Sequence, residues 1–350
     1  MNIYLLNSDY SVIGIVGEPR RVTVVRRYFE PGEISVILPV SFGDIPIGAS
    51  YIYEPQSGEC AHIDGVTRSE DGLGLSGRSL EALLSQRVIY GEVTYSGLIE
   101  TSARSAVSAN AISARAIPHL LLGTVSGIED TGELSASWSN LSDWLYASLK
   151  PHGASYRVKL DTEGSAIRFT VVRGVDRTRT QSARAPALFC TSDGAGARFA
   201  YSDDSSANVA YVSGFDGTVV SVPSPSPTGL LRRETFVSAG DIRPVSYDTT
   251  EAYLAALRHR GLERLAGREA VTGLRGGVPV CGGGTAGSDF DLGDLCEIEA
   301  PSGTYTARVT QITETFADGV HTVTPYIGGD AESEERNLRR RLTEYVSRTF

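Results

Sequence analysis

The sequence is poor in cysteine and lysine and has no long apolar run, and each scarcity removes a class of function. Its four cysteines, Cys60, Cys190, Cys281 and Cys296, stand far apart without a CxxC pair. That spacing suits neither a zinc site nor a thioredoxin-like redox motif. They read as reduced, mostly buried small hydrophobes, with one or two long-range disulfides left open. No stretch approaches the roughly 20 apolar residues of a membrane span. The opening MNIYLLNSDYSVIGIV lacks a basic start, and Asn7, Ser8, Asp9 and Tyr10 break its apolar run, so it does not read as a signal peptide. Lysine occurs only at 150 and 159, and the bias to arginine fits a GC-rich coding genome. Net charge is −10 and the pI is about 5.1, so no overall positive field draws the chain to nucleic acid or an anionic membrane.

What is present is 350 residues, 41% hydrophobic and 21% charged. That is enough to bury more than one core and too apolar for disorder. From Ile3 to about Tyr95 the pattern is strand chemistry: Ile3–Leu5, Val12–Val16, Val22–Val25 and Ile34–Leu38, with turns at Ser8-Asp9-Tyr10 and Glu30-Pro31-Gly32. Ser79–Gln86 has helical spacing of Leu80, Leu83 and Leu84. The spacing predicts further helices over Thr101–Ile117, ending before Pro118, and over Leu141–Leu149, capped by Ser139 or Asn140. Strands Tyr156–Leu160 and Ile167–Val172 follow, then Ala197–Tyr201, Val209–Val212 and Arg232–Val237, with PSPSPTG as a loop. Thr250–Leu265 reads as a helix interrupted by Gly261. After the Gly-rich passage Gly273–Gly287, Asp289–Ile298 and Tyr305–Thr324 form a last β unit. Ala331–Phe350 closes as a helix with the stripe Leu338, Leu342, Tyr345 and Val346.

Chemistry is hard to find in this pattern. The five histidines, His62, His119, His152, His259 and His321, sit in no recognisable motif and read as surface or capping residues. Gly72–Gly77 misplaces its serine for a nucleophile elbow. Cys190 near Asp193 is the least poor Cys-based candidate. Asp289–Asp294 puts Gly fifth, where an EF-hand loop needs it sixth, and Asp203, Asp204 and Asp216 read as turn residues. No acid is flanked by the aromatic platforms of a sugar cleft, and Trp138 and Trp144 read as core and cap packing. The glycine runs lack the Lys-Ser/Thr of a P-loop. No catalytic, cofactor-binding or metal-ligating residue is assigned.

Six segments follow one another along the chain: Tyr4–Tyr10 with Ile13-Gly14; Arg26-Arg27-Tyr28-Phe29-Glu30-Pro31-Gly32-Glu33; Gly77-Arg78-Ser79-Leu80 through Leu84; Arg173-Gly174-Val175-Asp176-Arg177-Thr178 with Gln181; Arg232-Arg233-Glu234 before Asp241-Ile242; and Asp289-Phe290-Asp291-Leu292-Gly293-Asp294. From about Tyr4 to Gly328 this order resembles the tail-tip hub family of siphophages and prophages of Gram-positive hosts, related to tail-associated and baseplate hub proteins. The resemblance implies an α+β, mainly β fold with two β-barrel-like domains, an inserted α+β module and a C-terminal helix. The domains expected are 1–97 (completed by 184–245), 98–183, 246–330 and 331–350. It also implies a non-enzymatic homotrimer that presents a pseudo-sixfold ring to a hexameric distal tail protein. Tape-measure and receptor-binding proteins would be further partners, and DNA would pass only transiently; from the net charge of −10, not from the resemblance, comes the expectation of an acidic lumen. Larger relatives carry enzymatic or receptor-binding extensions, and the short stretch after the last β unit argues against such activities here. A tail-tip cell-wall hydrolase and a carbohydrate-binding adhesion module are the alternatives.

The residues expected to brace the fold or line an interface are Arg26, Arg27, Tyr28, Pro31 and Gly32, then Gly77 and Arg78. Asp176, Arg177 and Gln181 follow, with Asp291, Gly293 and Asp294 near the end. Arg78 has a partner in Glu81 or a neighbouring strand's acid. Arg26 and Arg27 beside Tyr28 and Phe29 suit either an interface or internal bracing.

Overall fold

The computed structural model describes residues 2–70, 72–163, 165–190, 198–202, 206–223, 225–268, 271–275, 285–300 and 303–328. The expected helix 331–350, most of the Gly-rich passage, Asp193, Asp203, Asp204 and Cys281 lie outside them.

Seven strands open the chain: β1 (Asn2–Leu6), β2 (Val12–Gly17), β3 (Arg21–Arg27), β4 (Glu33–Leu38), β5 (Tyr51–Glu54), β6 (Glu59–Ser69) and β7 (Gly72–Ser79). They hydrogen-bond in the order β3-β4-β7-β6-β5-β1-β2, every pair antiparallel. The period-2 alternation seen in the sequence puts Ile3, Leu5, Val22, Val24, Ile34, Val36 and Leu75 on one face, where they form a continuous core. Each such side chain stabilises the fold by roughly 1.5–3 kcal/mol through burial. The β6–β7 register shifts between Ile63 and Gly65. There the two backbones press together, and a Cβ on Gly77 would stand 2.0 Å from the His62 carbonyl oxygen.

A helical module follows. The predicted helix at 79–86 is a 3₁₀ helix, Leu80–Gln86, whose first five residues are all buried. Next come β8 (Glu92–Leu98), α1 (Ile99–Val107), β9 (Leu120–Leu122), β10 (Thr131–Ser137), α2 (Leu141–Leu149), β11 (Ala154–Asp161) and β12 (Ala166–Arg173). The single helix expected over 101–117 stops as α at Val107 and continues as a π turn, Ser108–Ser113. Asn110 accounts for the break. Its amide donates to the Ala106 carbonyl at 2.9 Å, while its Oδ1 accepts from the Tyr90 N–H and the Arg115 guanidinium, so the side chain competes for backbone groups. Asn140, not Ser139, caps α2 by accepting from the N–H groups of Ser142 and Asp143. Leu80, Leu84, Ile99, Leu145, Tyr156 and Phe169 belong to the core these elements share.

The rest of the described chain is β13 (Leu188–Cys190), β14 (Arg198–Ser202), β15 (Val209–Gly214), β16 (Val219–Val222), β17 (Glu234–Ala239), α3 (Thr250–Ala266), β18 (Val271–Arg275), β19 (Leu295–Ala300), β20 (Gly303–Ala317) and β21 (Val320–Gly328). α3 covers the β16-β15-β17 sheet. Gly261 does not interrupt it: the missing side chain lets the helix lie close, since a Cβ would meet Val222 Cγ2 at 2.4 Å.

The contacts divide the chain into two compact units. The first holds 1–173, 207–268 and 313–322; the second holds 174–206, 269–312 and 323–350, so the stretch 184–206 groups with the second. The second unit has its own core of Phe189, Phe290, Cys296, Ile298, Val309 and Ile312. The architecture is mainly β with few helices. Replacing Gly77 by Ala should cost about 1–3 kcal/mol through overpacking. It should appear as a lower urea midpoint at unchanged slope. Gly240→Ala, with nothing within 4 Å of its Cβ, should leave the midpoint where it is.

Candidate functional site

Four of the six segments that stand out along the sequence meet in space as two nodes; Tyr4–Tyr10 lies outside both, and Arg232 bonds to Glu234 and Tyr211 instead. In the first node, Tyr28 is 2% exposed. Its hydroxyl donates to the carbonyls of Gly153 at 3.0 Å and Val172 at 3.3 Å, and the Ser155 hydroxyl donates to the Tyr28 carbonyl. One tyrosine thus holds the β11–β12 hairpin to the end of β3. Phe29 packs edge-on against it, with centroids 4.7 Å apart. Arg27 donates to the Pro31 carbonyl at 3.1 Å and to Glu33 at 2.9 Å, while Arg26 pairs with Glu314 at 3.0 Å.

Gly32 joins the two halves of this node. Its N–H donates to Ser79 Oγ at 2.7 Å and its carbonyl accepts from the Ser79 N–H at 2.9 Å. A Cβ at Gly32 would lie 2.4 Å from the Val25 carbonyl oxygen. Ser79 therefore ties β7 to the Pro31-Gly32 turn and makes no side-chain cap on the 3₁₀ helix that follows it. The partner of Arg78 is Asp64 on the neighbouring strand, at 2.9 Å from Nε, with the Arg78 N–H donating to the same oxygen.

The second node surrounds Asp294, which is 4% exposed. Its Oδ1 accepts from the Val175 N–H at 2.8 Å, and its Oδ2 accepts from Arg177 Nε at 2.6 Å and from the Asp291 N–H at 3.0 Å. A buried carboxylate stays charged only with such donors. Gly293, at φ 94°, donates to the Val309 carbonyl and accepts from Arg308. Gly174 passes so close that a Cβ there would collide with the Gly293 carbonyl. Asp176 accepts from the Thr178 N–H at 2.8 Å; that bond, with the Thr178 hydroxyl, holds its carboxyl below the usual range. Gln181 closes the loop, donating to the carbonyls of Thr178 and Arg184 and accepting from the Arg184 N–H. Asp289 and Asp291 stabilise turns, accepting from the N–H groups of Thr285 and Leu292.

A third charged cluster escaped the sequence reading. Glu59 accepts from Lys159 Nζ at 2.6 Å, and Glu81 accepts from the Val158 N–H at 3.2 Å and faces Arg157 at 3.4 Å. Burial opposes the charge on Glu59, yet Lys159 and Arg157 hold its carboxyl below the ordinary value. Burial likewise disfavours the charged Arg157, and Glu81 and Glu59 outweigh it. The available signals were a glutamate inside the apolar run Leu80–Leu84 and one of only two lysines in the chain.

Several expectations need correction. Cys60 and Cys296 are free and buried, with thiols pushed up by burial, but Cys190 is disulfide-bonded, which removes it as a nucleophile. His259 is buried and so is no surface or capping residue. Among the described residues no imidazole is hydrogen-bonded to a hydroxyl or thiol; each lies near a carboxylate. Trp144 is buried and donates to the Ser135 carbonyl at 3.0 Å, whereas Trp138 is 59% exposed and stands edge-on to the exposed Tyr90. Among the described residues no group of three or more His, Cys, Asp or Glu could hold a metal ion, and no helix is long and apolar enough to cross a membrane. The nodes bind chain to chain and present no reacting group.

The chain as a whole belongs to a known family. It is a member of the family described as Siphovirus ReqiPepy6 Gp37-like protein, whose model matches residues 2–329. No curated protein matches it. Solved structures share the fold along nearly the whole chain. The prophage tail protein gp18 from Listeria monocytogenes EGD-e has a TM-score of 0.59 at 11% identity, covering 99% of this chain and 100% of that one. The 43 kDa tail protein of prophage MuSo2 from Shewanella oneidensis has a TM-score of 0.55 at 14% identity, with 93% and 98% covered. The tail protein from Neisseria meningitidis MC58 has a TM-score of 0.52 at 14% identity, with 94% and 96% covered.

Two substitutions test the nodes. Tyr28→Phe leaves two carbonyls without their donor and should cost about 1–3 kcal/mol in urea unfolding. Asp294→Asn keeps the shape but removes the charge that faces Arg177, and should cost about 3–5 kcal/mol, as breaking a buried pair does.

Proposed function

We propose that this chain is the hub of the tail tip, a homotrimeric, non-enzymatic ring. The β1–β7 sheet and the sheet of the second unit act as its two barrel-like domains, and alternate around the ring so that three chains offer six similar surfaces. The ring joins the hexameric distal tail protein and the tube to the tip, contacts the tape-measure protein and receptor-binding proteins, and opens a path for DNA at ejection. DNA touches it only in passage, along an acidic lumen in keeping with the net charge of −10.

The observation that carries this reading is the use made of the polar motifs. Tyr28, Gly32 and Arg177 hold distant stretches of the chain together, Asp176 and Gln181 hold their own loop, and none is arranged as a reacting group. Surface for assembly remains: β2 is the end strand of its sheet and exposes Val12 and Ile15, and Phe236 stands out from β17. Mass photometry should give a species of three times the 37.3 kDa chain, and the purified distal tail protein should bind it. Monomer at every concentration together with no such binding would refute the proposal.

A second reading, a glycan-binding adhesion module, is favoured by the exposed Tyr90–Trp138 pair, with centroids 4.7 Å apart. Aromatic rings at a surface stack on the apolar faces of sugars. Quenching of tryptophan fluorescence by host cell-wall polysaccharide, lost in Trp138→Ala, would support it; unchanged fluorescence would remove it.

A further inference from the structure

The five imidazoles play no part in the two nodes, yet two of them meet. His152 ends the 3₁₀ turn Lys150–His152 after α2, and His259 lies in α3. Their rings stack with centroids 5.6 Å apart and planes 18° apart. Both belong to the first unit, in the seam where α3 packs on β10 and on that turn. His259 is 5% exposed, so one ring of the pair is buried in the seam.

The charges around the pair are already committed. His152 Nδ1 stands 3.3 Å from Asp130, which also accepts from Arg173 at 2.5 Å. His259 Nε2 stands 3.3 Å from Glu263, which accepts from the Ser148 hydroxyl at 3.0 Å and faces Arg260 at 3.4 Å. Arg260 in turn makes a fork with Asp241, beyond β17. On β10 the titratable group is Glu133, whose carboxyl is pushed up by burial. A proton entering the seam therefore meets burial, a second imidazole and two guanidinium groups, while both nearby carboxylates are shared with arginines.

We propose that the His152–His259 stack is an acid-sensitive latch: with the His152 ring neutral it seats α3 and the segment 207–268 on the helical module, and protonation of His152 loosens that hold. Burial first and His259 next lower the His152 pKa below its ordinary 6.5, with Asp130 opposing. The seated state then binds fewer protons than the loosened one. The stabilisation is present in full above the ordinary histidine value and is lost as pH falls from there to the seated-state value. The loss is about tenfold in the seating equilibrium for each pKa unit between the two states.

Hydrogen exchange of the full chain, corrected for intrinsic rates, tests this between about pH 7.5 and about pH 5.5, the range over which histidine titrates. The expected result is lower protection in α3 and β10 at the acid end, and no such difference in the double variant His152→Gln/His259→Gln. Equal protection of the wild type at both pH values overturns the latch, and so does the same loss in the double variant. If the double variant does not fold, His259→Phe keeps a ring in the stack and should show a smaller loss than wild type; an equal loss counts against the latch. An NMR titration of the wild-type imidazoles supplies an independent readout, and His152 titrating at or above the ordinary histidine value overturns it.

Discussion

A polar group taken out of water must find its partners within the chain, and in this protein those partners come from far along the sequence. The Asp294 carboxylate takes three donors, two of them from Val175 and Arg177, well over a hundred positions earlier. The Tyr28 hydroxyl reaches the carbonyls of Gly153 and Val172. Leaving either group unpaired would cost on the order of 1–3 kcal/mol or more, a large part of the net stability of a domain. The requirement to satisfy them fixes which segments lie side by side, a choice that apolar burial alone leaves open because it has no direction. It also explains the glycines at these crossings. Gly32 and Gly174 stand where the partner backbone comes too close for any Cβ.

The strands of the first domain and the helices at 141–149 and 250–266 were legible because their signals are local. Alternation of period two, the cap at Asn140 and the apolar spacing of Leu141, Leu145 and Leu149 all lie within a few residues of the structure they specify. The break at Val107 was not legible, because Asn110 acts through Tyr90 and Arg115, and the latter is near only once the turn has formed. Gly261 misled for a related reason. In an isolated helix glycine costs stability, but here it allows contact with Val212 and Val222, which the sequence does not place beside it.

The motif residues were visible as motifs, but their pairing was not. Arg78 had two reasonable partners by sequence, Glu81 three positions on and an acid on a neighbouring strand. The register of β6 against β7 decides for Asp64, which lies one strand across. Glu81 is drawn inward instead, because the 3₁₀ helix buries its first five residues and Arg157 with the Val158 N–H is what it meets there. A charge inside an apolar run is thus a sign of a distant partner, and the identity of that partner is a property of the fold.

The same constraint separates the two kinds of polar seam in the molecule. At Asp294 a guanidinium and backbone N–H groups meet a carboxylate, and none of the donors changes its protonation near neutral pH. Such a node keeps its donors across that range. At His152 and His259 the groups facing each other are the ones whose charge changes in that range, and the neighbouring carboxylates are already shared with Arg173 and Arg260. Apolar side chains of similar size would fill that seam without titrating. A pair of imidazoles there makes the seating of α3 depend on proton concentration, while the nodes at Tyr28 and Asp294 hold the rest of the chain in place.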